Sequence, residues 1–190
     1  MKTTYTWILV LLAMIPFLSG TRAIGVEIQG VYFKDSVAID GTTLQIRGAG
    51  LFRFMRVIKA YVGALYMQEG IPSESVLNDT PKRLEIEYFH AIKAEDFGSA
   101  SYKVMAQNVG PEEFERLKPR LDKQNALYRD VQPGDRYALS YVPGKGTELA
   151  LNGEPLGVIQ GADFAAALYA MWLGEKPMNN AFKRQLLGSP

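Results

Sequence analysis

"GAGLFRFMRVIKAYVGALYM", Gly48 to Met67, is the stretch on which the fold turns. It is largely apolar, free of proline and rich in β-branched and aromatic residues, the composition of buried strand. Yet it carries Arg53, Arg56 and Lys59. Charged side chains are seldom fully buried unless paired or given a task. On one straight strand, Arg53 and Tyr61 would lie roughly 26 Å apart, at about 3.3 Å per residue. A chain reversal near Arg56 to Lys59 makes them cross-strand neighbours instead, with roughly 4.5–5.5 Å between Cβ atoms. The reversal sends Arg56 and Lys59 to a solvated turn and leaves Arg53 beside Tyr61 on an inward face. A guanidinium fork with a phenol alongside matches a carboxylate. The residue pattern leaves a second reading open, in which Arg53 pairs with an internal carboxylate such as Asp163 or reaches out to water.

Outward from this segment, strand signals fill the first third of the chain. "VEIQGVYF" (26–33) alternates, and Asp40-Gly41 within "SVAIDGTTLQIRGAG" (36–50) is a hairpin signal. "IPSESVLNDTP" (71–81) reads as a short helix or loop. "KRLEIEYFH" (82–90) alternates strictly, with Leu84, Ile86 and Tyr88 on one face and Arg83, Glu85 and Glu87 on the other. That polar face predicts a sheet covered on one side only. Two helices are expected next, over 93–109 and from Pro111 to about Tyr128, with Gly110-Pro111 between them and Pro119 a candidate kink. Strands return over 135–144 and 146–161, where Asn152-Gly153 is a second hairpin signal. "ADFAAALYAMWLG" (162–174) is apolar nearly all round and predicts a deeply packed helix closed by Gly174. A shorter helix is expected over 179–188. Strands, two helices, strands, two helices is an α+β order, an antiparallel sheet with helices segregated on one face.

The first residues, "MKTTYTWILVLLAMIPFLSGTRAIG", have the form of a secretory signal: Lys2, an apolar run from Trp7 to Leu18, and Thr21-Arg22-Ala23 as a cleavage site. The run is shorter than the roughly 20 residues of a membrane span. The reading is a signal peptide over 1–23, one domain over 24–190, a periplasmic address and no stable membrane anchor after cleavage; the alternative is an uncleaved anchor. The chain has 21 basic and 20 acidic residues, two of the bases in this leader, so the remainder is within one charge of neutral. Such a balance makes no electrostatic case for nucleic acid or an anionic membrane. Without cysteine there are no disulfides and no thiol chemistry.

Catalytic and cofactor patterns are weak. The one histidine, His90, ends a strand, and a single imidazole without cysteine leaves no common zinc set. No cofactor is expected. "GAGLFR" lacks the third glycine and the βαβ unit of a dinucleotide loop, and "PGKGT" lacks phosphate-loop spacing. Both glycine groups read as bends that need a positive φ.

The combination of "GAGLFR", "ALY", "NGEPLGVIQGADF" and "WLGEKP" resembles the bacterial chalcone isomerase-like family, across nearly the whole chain from Gly30 to Gly188. The resemblance implies the chalcone isomerase fold: a large antiparallel sheet open on one face, helices over the other, and a cleft between. It also implies a comparison of site residues. Arg53 matches the arginine of the plant isomerases and Tyr61 falls at their threonine. Phe97, Ala100 and Val104 fall where those enzymes carry a helix tyrosine, lysine and asparagine, and Asn179 lies near a further threonine. Tyr102 and Lys103, by helical spacing, face away from that stripe. Losing the polar helix groups while keeping arginine and gaining tyrosine resembles the fatty-acid-binding members. The implied function is a non-catalytic periplasmic binder of a fatty acid or similar apolar carboxylate, with Arg53 and Tyr61 on the carboxylate and Phe97, Ala100, Val104 and Asn179 around it. Phe164, Leu168 and Trp172 are further wall candidates. The alternative is an isomerase or intramolecular lyase acting on a chalcone-like or other enone or phenolic substrate. A third reading is an interaction module whose cleft is filled by its own side chains.

Overall fold

A computed structural model describes residues 25–189. A seven-stranded antiparallel sheet runs in sequence order: β3 (Ser36–Ile39), β4 (Thr42–Phe54), β5 (Ile58–Met67), β6 (Lys82–Tyr88), β7 (Arg136–Val142), β8 (Gly146–Leu151) and β9 (Glu154–Ile159). The hairpin turns form where the sequence places them. Asp40 and Gly41, and Asn152 and Gly153, all have positive φ, the mirror-type geometry that matches strand twist. The segment between β5 and β6 holds only one short 3-10 turn, Ser73–Ser75.

Between β6 and β7 the chain leaves the sheet for α1 (Ala94–Asn108) and α2 (Pro111–Leu127). Pro111 opens α2, where the missing N–H costs nothing. After β9 come α3 (Ala162–Leu173) and α4 (Asn180–Leu186). The apolar α3 is the buried centre of the helix layer, with Phe164, Leu168 and Tyr169 fully shielded. The Tyr169 hydroxyl donates to the Leu139 carbonyl at 2.7 Å and fixes α3 to the sheet. Asp163, at the start of α3, accepts two 2.7 Å bonds from Arg120 and a 2.8 Å bond from Arg116, which ties α2 to α3. The Arg120 guanidinium holds the Asp163 carboxyl well below the usual carboxylate range. Asp163 is thus the partner of α2, not of Arg53.

The sheet is open on its far face except where a two-stranded hairpin, β1 (Gly25–Ile28) and β2 (Val31–Lys34), folds across it. Phe33 is buried there beside Leu44, Val62, Ala64 and Tyr66 in a second, smaller core. The polar face of β6 is consequently half shielded. Arg136 bonds Glu85 at 3.1 Å and Glu87 at 2.7 Å, Arg83 bonds Glu85 at 2.8 Å, and Arg136 stacks on Phe33.

The Ile46 N–H still meets the Asp35 carbonyl at 2.7 Å, and beyond it strand β4 has no strand partner on its outer side among the described residues. Helix α4 covers this edge. The Gln185 Oε1 accepts the free Leu51 N–H at 2.9 Å, which removes a template for unwanted strand pairing. A Cβ on Gly48 would lie 2.3 Å from the Gln185 carbonyl, and one on Gly50 would lie 2.3 Å from Gln185 Oε1. These two glycines therefore serve close approach of a helix and not a bend, contrary to the expectation. Gly144 and Gly146 of "PGKGT" do take positive φ as expected.

Candidate functional site

The chain does reverse after Phe54, through Met55, Arg56 and Val57, into β5. The pairing across that reversal differs from the expectation. Phe52, not Arg53, faces Tyr61, and Arg53 faces Lys59. A bulge places Ala60 as one extra residue between the two pairs, which shifts the register. Arg53, Arg56 and Lys59 are all exposed. Lys59 donates to Gln29 Oε1 at 2.6 Å.

Between the sheet and the helix layer lies a cavity of about 660 Å³. Its floor is aromatic and aliphatic: Phe52, Tyr61, Ile86, Tyr88, Tyr137 and Leu139 from β4 to β7. Its roof is Phe97, Ala100 and Val104 of α1 with Met171 and Trp172 of α3. Exposed lining residues mark the mouth: Phe54, Ile58, His90, Asp96, Lys103 and Gln107. The volume falls within the roughly 300–1,000 Å³ of small-molecule sites.

The rings brace one another. Phe52 stacks on Tyr61 with centroids 4.4 Å apart, and Phe97 stacks on Tyr128 at 5.1 Å and meets Tyr88 edge-on at 5.4 Å. Contacts of this kind add about 0.5–1.5 kcal/mol beyond burial and hold the wall in one shape. The Tyr137 hydroxyl donates to the Arg129 carbonyl at 2.9 Å and is committed to the fold. The Tyr61 hydroxyl accepts from the Trp172 indole at 3.3 Å and keeps its own proton to donate. Burial pushes the Tyr61 and Tyr88 hydroxyls up, so both stay protonated near neutral pH. The His90 Nε2 lies 3.0 Å from the Lys59 carbonyl at the mouth.

The structure thus brings Tyr61, Phe97, Ala100, Val104 and Trp172 to one cavity. Phe164 and Leu168 are plain core. Arg53 and Asn179 lie apart, together, in a shallow depression of about 430 Å³ between β4 and α4 that also includes Arg56 and Arg184. Asn179 acts there as the N-cap of α4, its side chain accepting from the Phe182 N–H at 2.9 Å. Lys103 was expected to face away from the α1 stripe but reaches the cavity mouth, because it sits one turn beyond Ala100 on the flank of that face. Tyr102 does face away, and its hydroxyl donates to Asp122 of α2. Tyr137 lines the floor without having been singled out, although the alternation of "RYALSYV" carries that signal.

A curled antiparallel sheet roofed by helices over an apolar, phenol-lined cavity defines an α+β domain with a cavity of small-molecule size. The chain belongs to the chalcone isomerase-like family, whose model matches residues 25–188. Among solved structures it is similar to a fatty-acid binding protein of Arabidopsis thaliana, with a TM-score of 0.66 at 13% identity, covering 86% of this chain and 96% of that one. At that identity the likeness is one of fold. No curated protein matches the sequence.

Proposed function

We propose that this protein binds a fatty acid or a similar apolar carboxylate in the cavity, without transforming it. The observation that carries the reading is a cavity of about 660 Å³ whose floor and roof are aromatic and aliphatic while its charged lining residues are confined to the mouth. Each methylene buried there gains about 0.8 kcal/mol at most, enough over a long chain to outweigh ordering costs. The fatty-acid binding named for the Arabidopsis neighbour supports the same ligand class. An ionised carboxylate buried deep among phenols without a cation is costly. The head group therefore sits at the mouth beside Lys103, with the acyl chain running inward past Tyr61. This replaces the Arg53–Tyr61 clamp, which the β4–β5 register separates. An isomerase needs an acid or base of matched pKa, and phenols pushed up by burial are poorly suited to that role. The leader-like residues 1–23, outside the described residues, support a periplasmic address.

The test is titration with palmitate by calorimetry. Wild type binds, Ala100→Trp fills the roof and loses at least about tenfold in affinity with an unchanged circular dichroism spectrum, and Lys103→Ala weakens binding several-fold. Undiminished binding by Ala100→Trp would place the ligand elsewhere.

A further inference from the structure

The turn between β4 and β5 projects the largest cluster of exposed apolar side chains among the described residues. Met55 and Val57 are each 75% exposed, Phe54 52% and Ile58 45%. These are consecutive but for Arg56, and they form the tip of one hairpin. Met55 and Arg56 both adopt positive φ, at 50° and 66°, where glycine or asparagine is the ordinary choice. Side chains are retained at a position where their absence would be the easier solution.

The charge around the tip has one sign. From Gly41 to Gln68 the sequence has no carboxylate and four cations: Arg47, Arg53, Arg56 and Lys59. Arg184 of α4 joins Arg53 and Arg56 around the shallow depression, with Asn179, Asn180 and Gln185 as neutral neighbours. Among the described residues, no carboxylate pairs with Arg53, Arg56 or Arg184. Apolar side chains at a tip, ringed by unpaired arginines, complement an interface whose interior is apolar and whose surface is anionic. A protein partner would require the arginines to find matched carboxylates. A bilayer supplies phosphates at any position.

We propose that the β4–β5 tip docks the protein on an anionic lipid bilayer, with Met55, Val57, Phe54 and Ile58 entering the headgroup region and Arg53, Arg56, Lys59 and Arg184 meeting lipid phosphates. The near-neutral overall charge, which argued against such a surface, conceals this local imbalance. Phe54 and Ile58 also form part of the cavity mouth, so docking places that mouth against the membrane. Transfer of an amphiphile between bilayer and cavity follows without exposure to water. That consequence rests on the proposed cavity ligand, whereas docking itself rests on the tip alone.

Vesicle flotation separates the two. The mature protein is mixed with phosphatidylglycerol–phosphatidylethanolamine vesicles or with pure phosphatidylcholine vesicles, and palmitate binding in solution is measured in parallel. The protein is expected to float with the anionic vesicles only, and to be released by salt as the charge is screened. Arg56→Glu and the double variant Met55→Ser/Val57→Ser, none of the three positions lining the cavity, are each expected to lower the partition about tenfold or more. Circular dichroism and palmitate binding should stay as in wild type. Absence of wild-type flotation, equal flotation with phosphatidylcholine, or unchanged flotation of both variants would overturn docking whatever the palmitate result. Flotation that persists when palmitate fails to bind would uphold docking and remove the transfer role. A tip-dependent dimer in sedimentation velocity, without flotation, would assign the surface to a second copy and overturn the proposal.

Discussion

Lys82 starts β6 with a side chain that is 1% exposed. Its Nζ donates to the Asn78 carbonyl at 2.6 Å and lies 4.8 Å from the centre of the Tyr141 ring and 5.5 Å from that of Tyr169. Burial lowers its pKa to about 8, with Asp79 opposing the shift. Unfolded, it titrates near 10.5. Between these values the unfolded chain binds more protons at this site than the native one, so the Lys82 contribution to stability rises with pH through this window. Above about pH 9 the buried tyrosines oppose it, because burial raises their pKa values above the ordinary 10.0 and the unfolded chain loses those protons first. Urea unfolding at pH 7 and pH 9, below the tyrosine range, should show a gain of about 1 kcal/mol in wild type, and Lys82→Met should abolish it. A flat wild-type profile would mean that Lys82 is better hydrated than its burial indicates. Arg53 teaches the opposite lesson at the same scale. A symmetric hairpin about Val57 pairs Arg53 with Tyr61. One bulged residue, Ala60, pairs Phe52 with Tyr61 instead and turns the guanidinium to solvent. Bulges leave no signature in apolar alternation, so the side on which Arg53 falls was illegible while the hairpin itself was not.

Elements were legible wherever turn chemistry marks them. Asp40-Gly41, Asn152-Gly153 and Gly110-Pro111 each sit at an element boundary in the structure. What the sequence conceals is contact between distant segments. The "GAG" glycines look like a bend, and their purpose appears only once α4, more than a hundred residues later, lies along β4. Gly48→Ala pushes a Cβ into backbone, where the Gln185 carbonyl and the Gly188 nitrogen cannot rotate away. It should cost about 1–3 kcal/mol in chemical denaturation. Gly50→Ala meets chiefly the flexible Gln185 side chain and should cost less. Equal, negligible losses from both would show that α4 is held loosely on its edge. The same helix end explains Asn179, whose resemblance to a pocket residue gives way to a role in starting α4.

On the scale of the whole molecule, one face of the sheet carries the cavity and the other carries an ion-pair ladder under a small hairpin. The division follows from the alternation of β6, read directly from "KRLEIEYFH". The extent of the cavity does not follow from it, because an inward aromatic side chain has the same pattern whether it meets another ring or empty space. The enclosed site predicts coupling between occupancy and global stability. Palmitate at about 100 times its dissociation constant should add about 2.7 kcal/mol, seen as a rise of about 5–10 °C in melting temperature for a domain of this size. Ala100→Trp, at the same palmitate concentration, should show at most about half that rise, and an equal rise in both proteins would point to binding outside the cavity. Trp172 adds a consequence of a different kind. The chain has two tryptophans, and the other, Trp7, belongs to the leader-like segment. Among the described residues Trp172 is the single indole, lodged in the cavity roof with its N–H on the Tyr61 oxygen. In a variant lacking residues 1–23 the emission colour is therefore set at one point, and ultraviolet fluorescence reads the polarity of the cavity interior without any added label.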